Sequence, residues 1–161
     1  MFTNIKSYKN TSVDWAKSQA LIMKLLREKG INDVRFTNIS HETAVKAGFT
    51  MEDETSAIMI EFMKNISLAN GVGGKVPIRI IIPNVPDDEK MRNQAYRILF
   101  WYLKTKFEAI ETGLIEFEKE FMAHIALGKN TVWEEFKQKM LPQILGGDNP
   151  DMGLLSLPKG N

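Results

Sequence analysis

The chain has no cysteine and only two histidines among 161 residues. Disulfides, thiolate zinc sites and cysteine nucleophiles are therefore excluded, and an all-protein zinc centre lacks ligands. Charge of one sign is missing too: the formal net charge is +1, so no whole-molecule field draws in nucleic acid or an anionic membrane. No apolar run approaches the ~18–20 residues of a membrane span, and Met1-Phe2-Thr3-Asn4-Ile5-Lys6 lacks the apolar centre of a signal peptide. The reading is a cytoplasmic protein with no membrane association. What is present is ordinary for a folded domain: 43% hydrophobic and 25% charged residues, which argues against wholesale disorder. The length fits a single domain, 1–161, with an arm at 1–11 and an irregular tail at 146–161 marked by glycine and proline.

Apolar spacing then divides the chain. Thr11 or Ser12 offers an N-cap, Trp15, Ile22, Leu25 and Leu26 recur at helical intervals, and Gly30 suits a left-handed stop, so Ser12–Lys29 is predicted as a helix. Ile31–Asn38 alternates, with Val34 and Phe36 on one side and Arg35 and Thr37 on the other, which predicts a half-buried strand. Ser40–Gly48 reads as one or two helical turns between a serine cap and a glycine stop. Thr55–Ile66 fits both periods. As a strand it turns Ile58, Ile60 and Phe62 inward; as a helix it stripes Met59, Phe62, Met63 and Ile66. The strand is preferred because Gly71-Val72-Gly73-Gly74 leads into the clear strand Val76–Pro83, giving a hairpin with a long loop.

Pro83 and Pro86 bracket a turn, and Asp87 and Asp88 cap a helical stretch from about Asp88 to Leu127. It holds the densest aromatic content in the chain, including Tyr96, Phe100, Trp101, Phe107, Phe117 and Phe121, most simply read as core. Thr112-Gly113 predicts a break into two helices, the second Leu114–Leu127 and ended by Gly128. Thr131-Val132-Trp133-Glu134 is a capping box for a last helix, Val132–Met140, stopping near Pro142. The fold class is therefore α+β: an N-terminal helix, a small antiparallel sheet of two to three strands, a long helical stretch broken near Gly113, and a short final helix.

No arrangement nominates an enzyme. Gly71–Gly74 lacks the lysine and Ser/Thr ending of a phosphate-binding loop and precedes a strand. His41-Glu42 is followed by Val45 where a zincin has its second histidine. Ser56 and Ser67 have no histidine-centred motif. Glu116, Glu120 and His124 are four apart and on one helix would form a row with metal-ligand chemistry. The second Glu-x-x-His pair of a di-iron bundle is absent, so a solvated face is the better reading, with no metal and no cofactor.

Charge is more informative. The first half of the long stretch carries Lys90, Arg92, Arg97, Lys104 and Lys106, the second Glu108, Glu111, Glu116, Glu118 and Glu120, a polarity opposite to what the helix dipole favours. Arg35 and Arg79 lie on the expected outer face of the sheet. Arg35, Arg79, Arg92, Arg97, Lys104 and Lys106 are thus the candidate phosphate contacts for single-stranded DNA, with aromatics to stack on bases. The competing reading is a protein-interaction module, a homo-oligomer joined through the aromatic helix.

Lys106-Phe107-Glu108-Ala109-Ile110-Glu111-Thr112-Gly113 and Phe117-Glu118-Lys119-Glu120-Phe121-Met122-Ala123-His124-Ile125 resemble segments of a group of short uncharacterised phage and prophage-type proteins. These place a strand pair before an aromatic, basic helix and an acidic Phe-Glu-x-Glu-Phe-x-Ala-His-Ile segment. The resemblance spans roughly Ile31 to Leu145, with a looser echo in Leu154–Pro158 and a longer link at Lys64–Lys75; no activity travels with it. The order helix, three strands, long helix is also similar to the core of single-strand annealing proteins of phage recombination, an architectural likeness that matches none of their motifs.

Overall fold

In the computed structural model, residues 4–146 are described; the predicted tail beyond Gly146 lies outside them. The central strand β2 (Thr55–Ser67) pairs antiparallel on one side with β1 (Val34–Ile39) and on the other with β3 (Gly73–Pro86). Thr55–Ile66 is thus a strand, with Ile58, Ile60 and Phe62 buried on its inner face and Met59, Glu61 and Met63 on the outer. β-branched and aromatic residues at every second position favour this over the helical alternative. The hairpin differs from expectation: β3 takes in Gly73 and Gly74, which pair with Ser67 and Ile66, so the loop shrinks to Leu68–Val72. Pro83 and Pro86 do not bracket a turn. Ser56 faces Val85 and Ile58 faces Ile82, so Pro83 and Asn84 form a bulge, where a residue without an N–H costs no ladder bond.

Two helices cover the inner face. α1 (Trp15–Glu28) starts later than Ser12 because Asp14, not Thr11, accepts a hydrogen bond from the Lys17 N–H, at 2.7 Å. α3 (Glu89–Glu111) is capped by Asp88, which accepts from the Met91 N–H at 3.1 Å. Tyr96, Leu99, Leu103 and Phe107 of α3 join Ile22 and Leu26 of α1 and the inner sheet residues in one buried cluster. Tyr96 has its ring 6.1 Å from those of Trp15 and Phe36 and donates its hydroxyl to Asn38 Oδ1 at 3.2 Å. Lys64, on an inner-face position of β2, donates to the Lys29 carbonyl at 2.9 Å, occupying a carbonyl left open at the end of α1. On the outer face, α2 (His41–Lys46) follows its Ser40 cap and buries Ala44.

The predicted break is present: Thr112 ends α3 and Gly113 takes φ +73°, a left-handed conformation that favours glycine. The expected second helix, Leu114–Leu127, is instead one short helix and two smaller pieces. α4 (Phe117–Phe121) passes into a 3-10 turn, Met122–His124, and then into a hairpin of β4 (Ala126–Leu127) and β5 (Asn130–Thr131), with Gly128 in its turn. Tertiary packing overrides helical propensity here. Phe121 is fully buried, 4.7 Å from the Phe117 ring, 5.4 Å from Phe107 and 6.0 Å from Phe62, and Ile125 bridges to Ile78 of β3. The Thr131–Glu134 capping box opens α5 (Val132–Lys139) as predicted, and Pro142 stands in the first turn of a further helix, α6 (Leu141–Leu145), where its missing N–H is harmless.

Phe121→Ala should therefore cost about 3–5 kcal/mol in urea denaturation. Leu114→Ala, at a residue 81% exposed, should stay within about 0.5 kcal/mol of the parent. Equal losses would mean that α4 is not part of the core.

Candidate nucleic-acid interface

The six basic candidates fall on two opposite sides of the molecule. Arg35 and Arg79 project from the outer face of the sheet, in register with Glu61 between them. Arg35 Nε donates to Glu61 Oε2 at 2.9 Å and Arg79 Nε to Glu61 Oε1 at 3.1 Å. Arg79 Nη1 also donates to the carbonyls of Gly128 (3.2 Å) and Lys129 (2.9 Å). Burial alone would raise the Glu61 pKa, but the two guanidinium groups outweigh it and hold the carboxyl below its ordinary value. Arg92, Arg97, Lys104 and Lys106 belong to α3, which packs on the inner face. Arg97 and Lys104 are thus separated from the sheet arginines, while Arg92, at the start of α3, borders a cavity with Ile39 and Ser40 at the end of β1.

Ion pairing separates the helix cations further. Arg92 pairs with Asp87 at 3.1 Å, and Lys106 is buried against Glu120 at 2.6 Å, with its ammonium 4.6 Å from the Tyr102 ring centre. Burial works against the Lys106 charge, yet Glu120 and Tyr102 together raise its pKa above the ordinary value. Tyr102 in turn shares a 2.7 Å hydrogen bond with His124 Nε2, and burial, aided by Lys106, keeps that imidazole below its ordinary pKa. The predicted Glu116–Glu120–His124 row does not form: Glu116 precedes α4, Glu120 is bound to Lys106, and His124 sits in the 3-10 turn. No cluster of three potential metal ligands exists among the described residues.

What remains lies on the side of α3 turned away from the sheet. Lys90, Arg97 and Lys104 recur every seven residues, and at about 100° per residue they drift only slowly around the helix. Among the described residues Lys90 and Arg97 have no carboxylate partner, and Lys104 has only Glu108 at 3.7 Å. The Arg97 guanidinium lies 5.2 Å from the Phe100 ring and 5.4 Å from the Trp101 ring, and Lys104 Nζ lies 4.9 Å from Trp101. Arg97 Nη1 and Trp101 Nε1 are both buried donors without an acceptor.

The N-terminal arm completes this surface. Buried Gln94 donates through Nε2 to the carbonyls of Ile5 (2.9 Å) and Ser7 (2.7 Å), holding the arm along α3. Tyr8, at φ +58°, then lies nearly parallel to Trp101, with ring centres 6.5 Å apart. Lys6 and Lys9 flank it, exposed and without carboxylate partners among the described residues. Between arm, α3 and α4 runs an apolar groove of about 510 Å³ walled by Ile5, Tyr8, Ile98, Trp101 and Tyr102.

Sequence reading missed Tyr8, Lys6 and Lys9, because the arm reaches α3 through tertiary contacts with Gln94 and Trp101 that no local pattern announces. The i, i+4 spacing of Arg97 and Trp101 was the available signal for the rest. No protein-family model matches the chain, and neither the curated proteins nor the solved structures give a match.

Glu61 generates a pH prediction. Its depressed pKa gives stability that is fully present above the ordinary carboxyl value of 4.5 and is lost as pH falls through the lower folded value. Glu61→Gln should be less stable than the parent in urea at pH 7, and the gap should narrow as pH falls from 4.5 through the lower folded value. A gap unchanged over that range would show that the carboxylate charge contributes nothing.

Proposed function

We propose that the chain is a non-enzymatic accessory protein of phage type that binds single-stranded nucleic acid along the outward side of α3. The observation that carries this reading is the stripe Lys90, Arg97 and Lys104, poorly neutralised and interleaved with Trp101, beside the arm residues Lys6, Tyr8 and Lys9. Cations free of tight carboxylate partners keep their charge for phosphates, whose counterion release supplies most sequence-independent affinity. Aromatic faces beside them accept bases of any identity by stacking. Arg35, Arg79, Arg92 and Lys106 drop out of the interface, since each already faces a carboxylate at 3.1 Å or less.

A labelled oligo-dT of about 16 nucleotides, followed by anisotropy, tests this. Four to five neutralised phosphates should give a log–log salt slope of about −3. The exposed pair Lys6→Glu with Lys9→Glu, and separately Trp101→Ala, should each weaken binding about tenfold or more, while Arg35→Glu should change it little. No binding at low salt, or equal sensitivity to Arg35→Glu, would overturn the reading.

A second reading, self-association, has its own support, though away from the aromatic helix first expected to mediate it. Trp133, Met140 and Leu145 of the α5–α6 segment are apolar side chains that are 48%, 52% and 76% exposed. A mass in solution above 18.3 kDa by light scattering without nucleic acid, returned to that value by Trp133→Glu, would favour it.

A further inference from the structure

The outer face of the sheet holds a second cavity, unrelated to the α3 surface. It measures about 800 Å³ and is built from six parts of the chain. Ile39, Met59 and Ile81, half-buried side chains of β1, β2 and β3, lie along it together with Phe49, which follows α2. The β4–β5 turn with Lys129, and α5 with Gln138, border the side opposite α2. The Arg35–Glu61–Arg79 row borders the apolar lobe, and a smaller cavity of about 580 Å³ shares the same three residues with Met63 and Pro77 beyond them.

Donor counting shows what such a cavity lacks. A guanidinium carries five N–H groups. Arg35 uses Nε and Nη2 on Glu61, and Arg79 uses Nε on Glu61 and Nη1 on two carbonyls. Arg35 Nη1 and Arg79 Nη2 have no protein acceptor among the described residues. Two guanidinium groups against one carboxylate leave the row one positive charge in excess, and Lys129 adds to it at the rim, whereas Lys46 is paired with Glu42 at 2.5 Å. Glu134, the other acid of the lining, is committed to the Thr131 N–H of the capping box at 2.6 Å. An apolar lobe ending at two guanidinium groups, each with an N–H group that no protein acceptor among the described residues takes, suits a ligand with an apolar body and one anionic end.

We infer that this cavity binds a small amphipathic organic anion, a monocarboxylate whose head meets Arg35 and Arg79 and whose apolar body lies over Met59 and Ile81. A nucleic-acid strand fits poorly, because an apolar floor with one excess charge offers phosphates little.

Titration of the full chain with octanoate, followed by amide chemical shifts and calorimetry, is the test. The expected result is one saturable site, with shifts centred on Ile39, Met59 and Ile81. Octan-1-ol should bind about tenfold more weakly, and so should octanoate to Arg35→Gln, whose side chain is 71% exposed and is not needed for the core. Lys129→Gln provides a second variant at the exposed rim and should also weaken octanoate, whereas Lys104→Glu on the opposite side should leave it unchanged. Absence of saturation into the millimolar range, equal binding of octanol, equal loss with Lys104→Glu, or shifts scattered over α3 and α5 would each overturn the inference. Since oligo-dT is not expected to compete with octanoate, this result and the nucleic-acid result can fail independently.

Discussion

The register of β2 decides where nearly everything else can be. As the middle strand it shares both its edges, and its side chains alternate between two faces with a period that allows no drift. A slip of one residue would carry Glu61 into the space of Ile60 and Phe62, among the most buried residues of the molecule, and bury a carboxylate without its arginines. Two devices pin the register: the short Leu68–Val72 loop and the bulge at Pro83-Asn84, which absorbs one extra residue without shifting the rest of the ladder. With Glu61 fixed on the outer face, Arg35 and Arg79 are drawn to it. With Ile58, Ile60 and Phe62 fixed on the inner face, α1 and α3 have one surface on which to pack.

Gly113 performs a related task further along. Its left-handed turn ends α3 and directs the following segment back, so that Phe117 and Phe121 reach Phe107 and Phe62 instead of continuing into solvent. The return of this segment also explains the unusual polarity of the long stretch. Acidic Glu120 is carried back alongside basic Lys106, so a distribution that opposes the helix dipole within one helix becomes a short-range pair between two elements. Lys29 similarly meets Glu111 across the α1–α3 boundary, near the C-terminal ends of both helices.

Much of the architecture was legible because each signal was local. The alternation of Val76–Pro83, the Ser40 and Asp88 caps, the glycine at 113 and the Thr131–Glu134 box all act within a few residues, and each appears in the structure; Thr55–Ile66 fits both periods, and only the neighbouring strand decided it. The extent of the second helical half was not legible, because the helix ends at Phe121 as that residue and Ile125 make contacts with β2 and β3 that are about sixty and fifty residues away in sequence. The candidate interface was half legible. Basic residues could be counted on the helix, but their partners could not. Asp87 is near Arg92 in sequence, whereas Glu61 meets Arg35 only through strand register and Glu120 meets Lys106 only after the chain reverses at Gly113.

That distinction matters more than the number of basic residues. A chain of net charge +1 can present a local positive surface only by neutralising cations elsewhere, and this one does so unevenly. Carboxylates are placed against Arg35, Arg79, Arg92 and Lys106, while Lys90, Arg97, Lys6 and Lys9 have none among the described residues. Arg97 and Lys104 lie against aromatic rings instead, an interaction worth about 0.5–1 kcal/mol at exposed sites that leaves the cation its charge. Arg35 and Arg79, by contrast, share the single Glu61 carboxylate and stand in a row, an arrangement that favours one directed contact over a diffuse attraction. One set of basic residues is therefore suited to a polyanion that slides along a surface, and the other to one anionic group at the end of a shaped cavity.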